Sequence, residues 1–279
     1  SRGLGDVYKR QEYAWFNLGN IYMKLDQFEN AVEAFEYSIA IDEEYSSAYI
    51  NISEALIKLE KFDQAKKYIE RSLNLDGPSP EIYSCLGNVN FYLEDYSTSI
   101  SFYQKSIKID QMFKESYFGL GRSLSKLDKW FEAIHFFKKA YKIDNKNIDY
   151  VKSLAYAEFK VGNLVSSIDL YSKAVEMQPD DYKLSLDFSL IYYESGDIDK
   201  AIDIIDQAIE ESPGESLLYY RLVIYLMDAG RYKESINVLE SALSLNFDNH
   251  DVLFDFVPNF ESQSALIRVI NQFKNSGNR

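Results

Sequence analysis

Few residues in this chain have the chemistry for catalysis or metal binding. Its two histidines, His135 and His250, lack the HExxH spacing that sets two imidazoles on one helix face around zinc. Asp199, Asp203 and Asp206 share a helix face and could attract a cation, but a solvated acidic face is the better account of them. The stretch DNKNID (144–149) lacks the glycine and the distal glutamate of a calcium loop. Cys85 is the single cysteine, which excludes an internal disulfide and any multi-thiolate metal site. No glycine-rich phosphate loop occurs, and nucleophilic or general-base chemistry needs convergent partners. The chain therefore reads as non-enzymatic, with no metal and no cofactor. What remains is the chemistry of recognition, carried by aromatic, asparagine and lysine residues that recur at fixed spacing.

The elements that would position them follow from one pattern. WFNLGNIYMKL (15–25) places Trp15, Leu18, Gly19 and Tyr22 on one face of a helix, and YSCLGNVNFYL (83–93) and YFGLGRSLSKL (117–127) are reworded copies. Cutting every 34 residues from Glu12 gives seven blocks without an insertion: 12–45, 46–79, 80–113, 114–147, 148–181, 182–215 and 216–249. The eighth position is small in all but one block (Gly19, Ser53, Gly87, Gly121, Ala155, Ser189, then Val223), whereas position 24 is large throughout (Phe35, Ile69, Tyr103, Phe137, Tyr171, Ile205, Leu239). Each block is thus expected to hold two helices, A and B, with a large residue on one entering a groove opposite a small one. This explains glycine inside a helix, where it costs roughly 1 kcal/mol relative to alanine.

Composition agrees with an ordered, helix-rich protein: 46% hydrophobic residues with only 5 Pro and 12 Gly. No apolar run approaches the roughly 20 residues of a membrane span, so a soluble chain without membrane insertion is expected. A net charge of -14 argues against nucleic acid, whose binding depends on cations at the phosphates. Residues 1–11 fit none of the periodicity and show no signal-peptide core, so they read as a non-native or disordered leader and the expected location is cytoplasmic. Residues 250–279 form a partial repeat that Pro258 should stop, followed by a helix with Ala265, Leu266, Val269, Ile270 and Phe273 on one stripe, suited to cap the last block. The first block is the most regular of all and has no such device, so further repeats upstream or self-association through this end are expected.

The seven blocks resemble the tetratricopeptide repeat (TPR) family, with EYAWFNLGNIYMKLDQFENAVEAFEYSIAIDEEY (12–45) closest to its pattern. The composition and the tail are similar to repeat proteins of Bacteroidetes-type bacteria. The family's helix-ending proline at position 32 survives only as Pro179 and Pro213. The resemblance implies an all-α fold, a right-handed superhelical solenoid of antiparallel helix pairs with a C-terminal capping helix. It also implies that positions 2, 5, 6, 9, 12 and 13 of the A helices face a concave groove.

Those positions carry Phe16, Asn20, Ile50, Asn51, Asn88, Phe91, Phe118, Arg122, Lys126, Lys152, Tyr156, Phe159, Lys160, Lys183, Tyr193 and Tyr220, the candidate peptide-groove residues. Asparagine and aromatics at several of these places are also ordinary family consensus. Cations collect toward the middle of the array, which points to an extended segment with apolar anchors and a carboxylate. The family's carboxylate clamp for chaperone tails is not completed in any frame: its first frame offers Phe16, Asn20, Asn51, Glu81 and Cys85. The resulting expectation is a scaffold or adaptor that binds a protein segment in its groove; the alternative is the recognition or regulatory arm of a larger enzyme or secretion machine.

Overall fold

The computed structural model describes the backbone of residues 2–256 and 264–276, with side chains over 11–254 and 265–275. Sixteen α-helices and one 3-10 helix occur among the described residues, and the fold is an all-α solenoid of helix pairs. The seven A/B pairs are α1 (Arg2–Lys24) with α2 (Phe28–Ile41), α3 (Ser46–Lys58) with α4 (Phe62–Asp76), α5 (Pro80–Tyr92) with α6 (Tyr96–Ile109), α7 (Lys114–Lys126) with α8 (Trp130–Ile143), α9 (Ile148–Lys160) with α10 (Leu164–Met177), α11 (Tyr182–Glu194) with α12 (Ile198–Glu211), and α13 (Ser216–Asp228) with α14 (Tyr232–Leu245). A 3-10 turn (Phe247–Asp251), α15 (Val252–Phe256) and α16 (Ser264–Ser276) follow. Helix α1 is longer than the other A helices because it includes residues 2–11. Pro258, expected to stop an eighth A helix, lies outside the described residues.

The chain divides into two compact units, Ser1–Ser153 and Leu154–Arg279. In the first, each A helix packs on its own B helix and on the next A helix, so α1, α3, α5 and α7 form one continuous wall. Its core joins Phe35, Ile52, Leu56, Ile69, Ile82 and Leu86. The ring-to-glycine packing expected from positions 24 and 8 is present. A Cβ on Gly19 would lie 2.4 Å from the Phe35 ring, on Gly87 2.7 Å from Tyr103, and on Gly121 2.6 Å from Phe137. Tyr103 is held on two sides, because a Cβ on Gly119 of the following A helix would come within 2.1 Å of it.

Serine hydroxyls tie the two helices together within each of the first three pairs. Ser38 donates to the Glu12 carbonyl at 3.0 Å and Ser106 to the Pro80 carbonyl at 2.8 Å, while the Ser46 and Ser72 hydroxyls lie 2.6 Å apart. Buried hydroxyls need such partners, since leaving one unpaired costs about 1–3 kcal/mol. In the second unit, the core gathers Ile202, Ile205, Leu218, Leu222, Tyr225, Leu239 and Leu243. Helix α16 covers this core with buried Leu266 and Ile270, and with Val269 and Phe273 alongside. Ala265, placed on that stripe by the sequence pattern, is exposed.

Candidate ligand-binding wall

Two concave pockets open on the A-helix wall of the first unit. The first, of about 390 Å³, is built by α1, α3, α5 and the start of α7. Its apolar lining is Phe16, Ile50 and Phe113, its polar lining includes Asn51 and Asn88, and Glu54, Glu81 and Glu115 contribute carboxylates. The asparagines are anchored from behind. Asn51 donates through Nδ2 to Asn20 Oδ1 at 2.7 Å, and the Tyr103 hydroxyl donates to Asn88 Oδ1 at 2.6 Å. Phe16 is held by Tyr45 and Phe35, with ring centroids 5.0 and 5.5 Å away. Glu54 keeps solvent-exposed surface, yet partial burial raises its pKa against the opposing pull of Lys58. Cys85 also lines the pocket, but burial, reinforced by the Glu54 charge, pushes its thiol up to about 12. It is therefore a neutral small side chain here and no thiolate nucleophile.

The second pocket, of about 380 Å³, lies where α5 and α7 end and α6 begins. Phe91, Tyr92 and Tyr96 give it aromatic walls, Arg122 and Lys126 give it cations, and Glu94 is its one acid. The Arg122 guanidinium rests 4.1 Å from the Phe91 ring centroid and 5.6 Å from that of Tyr92. Stacking on the ring orients the planar fork while its N–H donors stay available for a carboxylate.

The remaining candidates divide between the units. Phe118 is half-buried and packs on Tyr150 at 4.8 Å and Phe137 at 5.9 Å, so it braces Arg122 from below more than it faces a ligand. Lys152 is half-buried in the same unit. In the second unit, Tyr156 is exposed with Lys160 Nζ 5.2 Å above its ring, and Lys183 is exposed. Phe159 packs against the cluster around Tyr171 and Ile191. Tyr193 stacks on Tyr225 at 4.7 Å and donates to Asp228.

Two candidates offer little or no surface. Tyr220 is fully buried, its hydroxyl donating to the Asn246 carbonyl at 2.9 Å, because the seventh pair folds this position into the core beneath α15 and the 3-10 turn. Phe91 is 8% exposed because Arg122 and its aromatic neighbours cover it. Conversely, the sequence pattern missed Phe113, Tyr92 and Tyr96. Phe113 comes from an inter-repeat turn, where only its match to Tyr45 at the same repeat position gave a signal.

His135 is exposed on α8, and the His250 ring is held by the Phe247 carbonyl at 2.7 Å. Among the described residues, no group of three or more His, Cys, Asp or Glu is arranged to hold a metal ion. No described helix is long and apolar enough to cross a membrane.

A wall of stacked A helices with ring-on-glycine crossings defines a helical-repeat interaction module. Tetratricopeptide repeat models match residues 12–45, 46–78, 114–147, 158–223 and 217–249, and the chain belongs to the tetratricopeptide repeat family. Proteins of this family are in general non-catalytic scaffolds for protein–protein interaction. No curated protein sequence matches the chain. Among solved structures, the chain is similar to the Cut9–Hcn1 hetero-tetramer of the APC/C, at TM-score 0.69 and 19% identity over 81% of this chain and 45% of that one. It thus spans under half the length of that relative. A tetratricopeptide repeat protein from Parabacteroides merdae aligns at TM-score 0.60 and 15% identity, over 94% and 99% of the two chains. YrrB, a TPR protein with an unusual peptide-binding site, aligns at TM-score 0.52 and 21% identity, over 67% and 96%.

Proposed function

We infer that this chain is a non-catalytic scaffold that holds an extended protein segment against its A-helix wall, with apolar residues of the segment seated on the aromatics and a carboxylate on Arg122 and Lys126. The observation that carries this reading is the α5–α7 pocket, where a ring-stacked guanidinium and a second cation sit inside aromatic walls. Charge-assisted contact to a planar fork gives specificity, and the surrounding rings exclude water from it. The Arg122→Gln, Lys126→Gln double variant tests it. Co-precipitation from source-cell lysate should lose prey that the intact protein retains, with the two proteins melting alike. The same prey at the same yield from both would contradict it.

A second reading, as an arm of a larger assembly, has its own support at the first pair. Trp15 stacks on Tyr37 at 4.6 Å, and both remain exposed together with Tyr13 and Leu25. At the matching repeat position Tyr49 and Tyr117 are buried. An apolar edge of this kind suits a protein neighbour or a second copy. Sedimentation of the chain over a concentration series, beside a Trp15→Lys, Leu25→Lys variant, separates self-association from a foreign partner.

A further inference from the structure

We propose that the pocket formed by α1, α3, α5 and the start of α7 is a subsite for an arginine or lysine side chain of the bound segment. The inference rests on the scaffold reading above and assigns this pocket the opposite charge preference to the α5–α7 pocket. Three successive A helices each contribute one carboxylate to it, Glu54, Glu81 and Glu115, and none of its lining residues is a cation. Among the described residues none of these three is in an ion pair. Like charges around one concavity focus a negative potential into it, so a carboxylate is repelled and a cation is drawn in.

The size and lining of the site select which cation. The three carboxylates are not arranged as a metal-binding group, and about 390 Å³ is far more than a bare ion fills. Phe16, Ile50 and Phe113 offer apolar surface to a methylene stem, as long basic side chains require. A segment with a basic residue here and an acidic one at Arg122 and Lys126 reads the wall in a single direction.

The test is a random peptide library selected on the intact chain, on a Glu54→Gln, Glu81→Gln, Glu115→Gln variant and on the Arg122→Gln, Lys126→Gln variant. Glutamine keeps the shape of each side chain, and matched thermal melting confirms the folds. The intact chain should enrich peptides bearing both a basic and an acidic residue, and the triple glutamine variant should lose the basic preference alone. Fluorescence anisotropy of one enriched peptide then closes a double-mutant cycle. Changing its basic residue to norleucine should weaken binding about tenfold on the intact chain and leave binding unchanged on the triple variant. Enriched peptides without a basic preference, or additive losses in the cycle, would overturn the subsite while the scaffold reading stands. Enrichment of no peptide on any of the three proteins would overturn both.

Discussion

Tyr103 shows how single residues set the spacing of the wall. Its buried ring lies against Gly87 of its own pair and Gly119 of the next, and its hydroxyl holds Asn88 toward the first pocket. One side chain therefore links core packing to the orientation of a candidate contact residue. Gly119→Ala should overpack this crossing and cost about 1–3 kcal/mol, read as a lower urea midpoint. An unchanged midpoint would show that the ring moves aside freely. Gly87 was legible in the sequence because the 34-residue period aligns it with Gly19 and Gly121. The packing role of Gly119 was not, because it stands at a groove-facing position, where a small residue is common without a ring to pack against. Cys85 yields a second expectation. A thiol pushed up to about 12 stays protonated until the pH nears that value, whereas an unfolded thiol ionises near 8.5. Iodoacetamide at neutral pH should then modify the native chain at least about a hundredfold more slowly than the urea-unfolded chain. Comparable rates would mean that the pocket exposes a reactive thiolate.

Helix pairs are joined by a turn whose geometry repeats while its residue does not. Position 15 of each block is left-handed: Asp26 (φ 55°), Glu60 (φ 58°), Glu94 (φ 62°) and Asp128 (φ 56°) in the first four, then Gly162 (φ 83°), Gly196 (φ 89°) and Gly230 (φ 75°). A side chain in this region costs roughly 1–2 kcal/mol. Glu60→Gly should accordingly stabilise the protein by about 1 kcal/mol and Gly196→Ala destabilise it by a similar amount, both measured by chemical denaturation. The reverse signs would contradict a common turn. Pairing and phase of the repeat helices were readable from the 34-residue period, and α16, with Leu266 and Ile270 against the last pair, from its own apolar stripe. The left-handed turns were hidden in the first four blocks, because acidic residues there look like ordinary surface. Phe113, in an inter-repeat turn, and Tyr96, at the start of a B helix, were missed because neither stands at an A-helix groove position.

At the scale of the molecule, the net charge of -14 conceals a wall with two characters. Within the first unit alone, one pocket is ringed by Glu54, Glu81 and Glu115, and the other presents Arg122 and Lys126 on aromatic walls. The repeat period placed the cations at groove positions, but which side chains share a pocket, and the burial of Tyr220 in the core, were not legible in it. Those facts depend on how neighbouring pairs pack, a property of the stacked array and of no single block. On the proposed reading the extended segment lies on the A-helix wall and not on the B-helix surface. Photocrosslinking in source cells tests it most directly, with a benzophenone side chain placed singly at Ser47 and Tyr92 in the two pockets and at Phe131 and Val165 on exposed B-helix surfaces. Adducts are expected from positions 47 and 92, mapping to one short contiguous stretch of a partner protein, with none from 131 or 165. Adducts from the B-helix positions alone would contradict it.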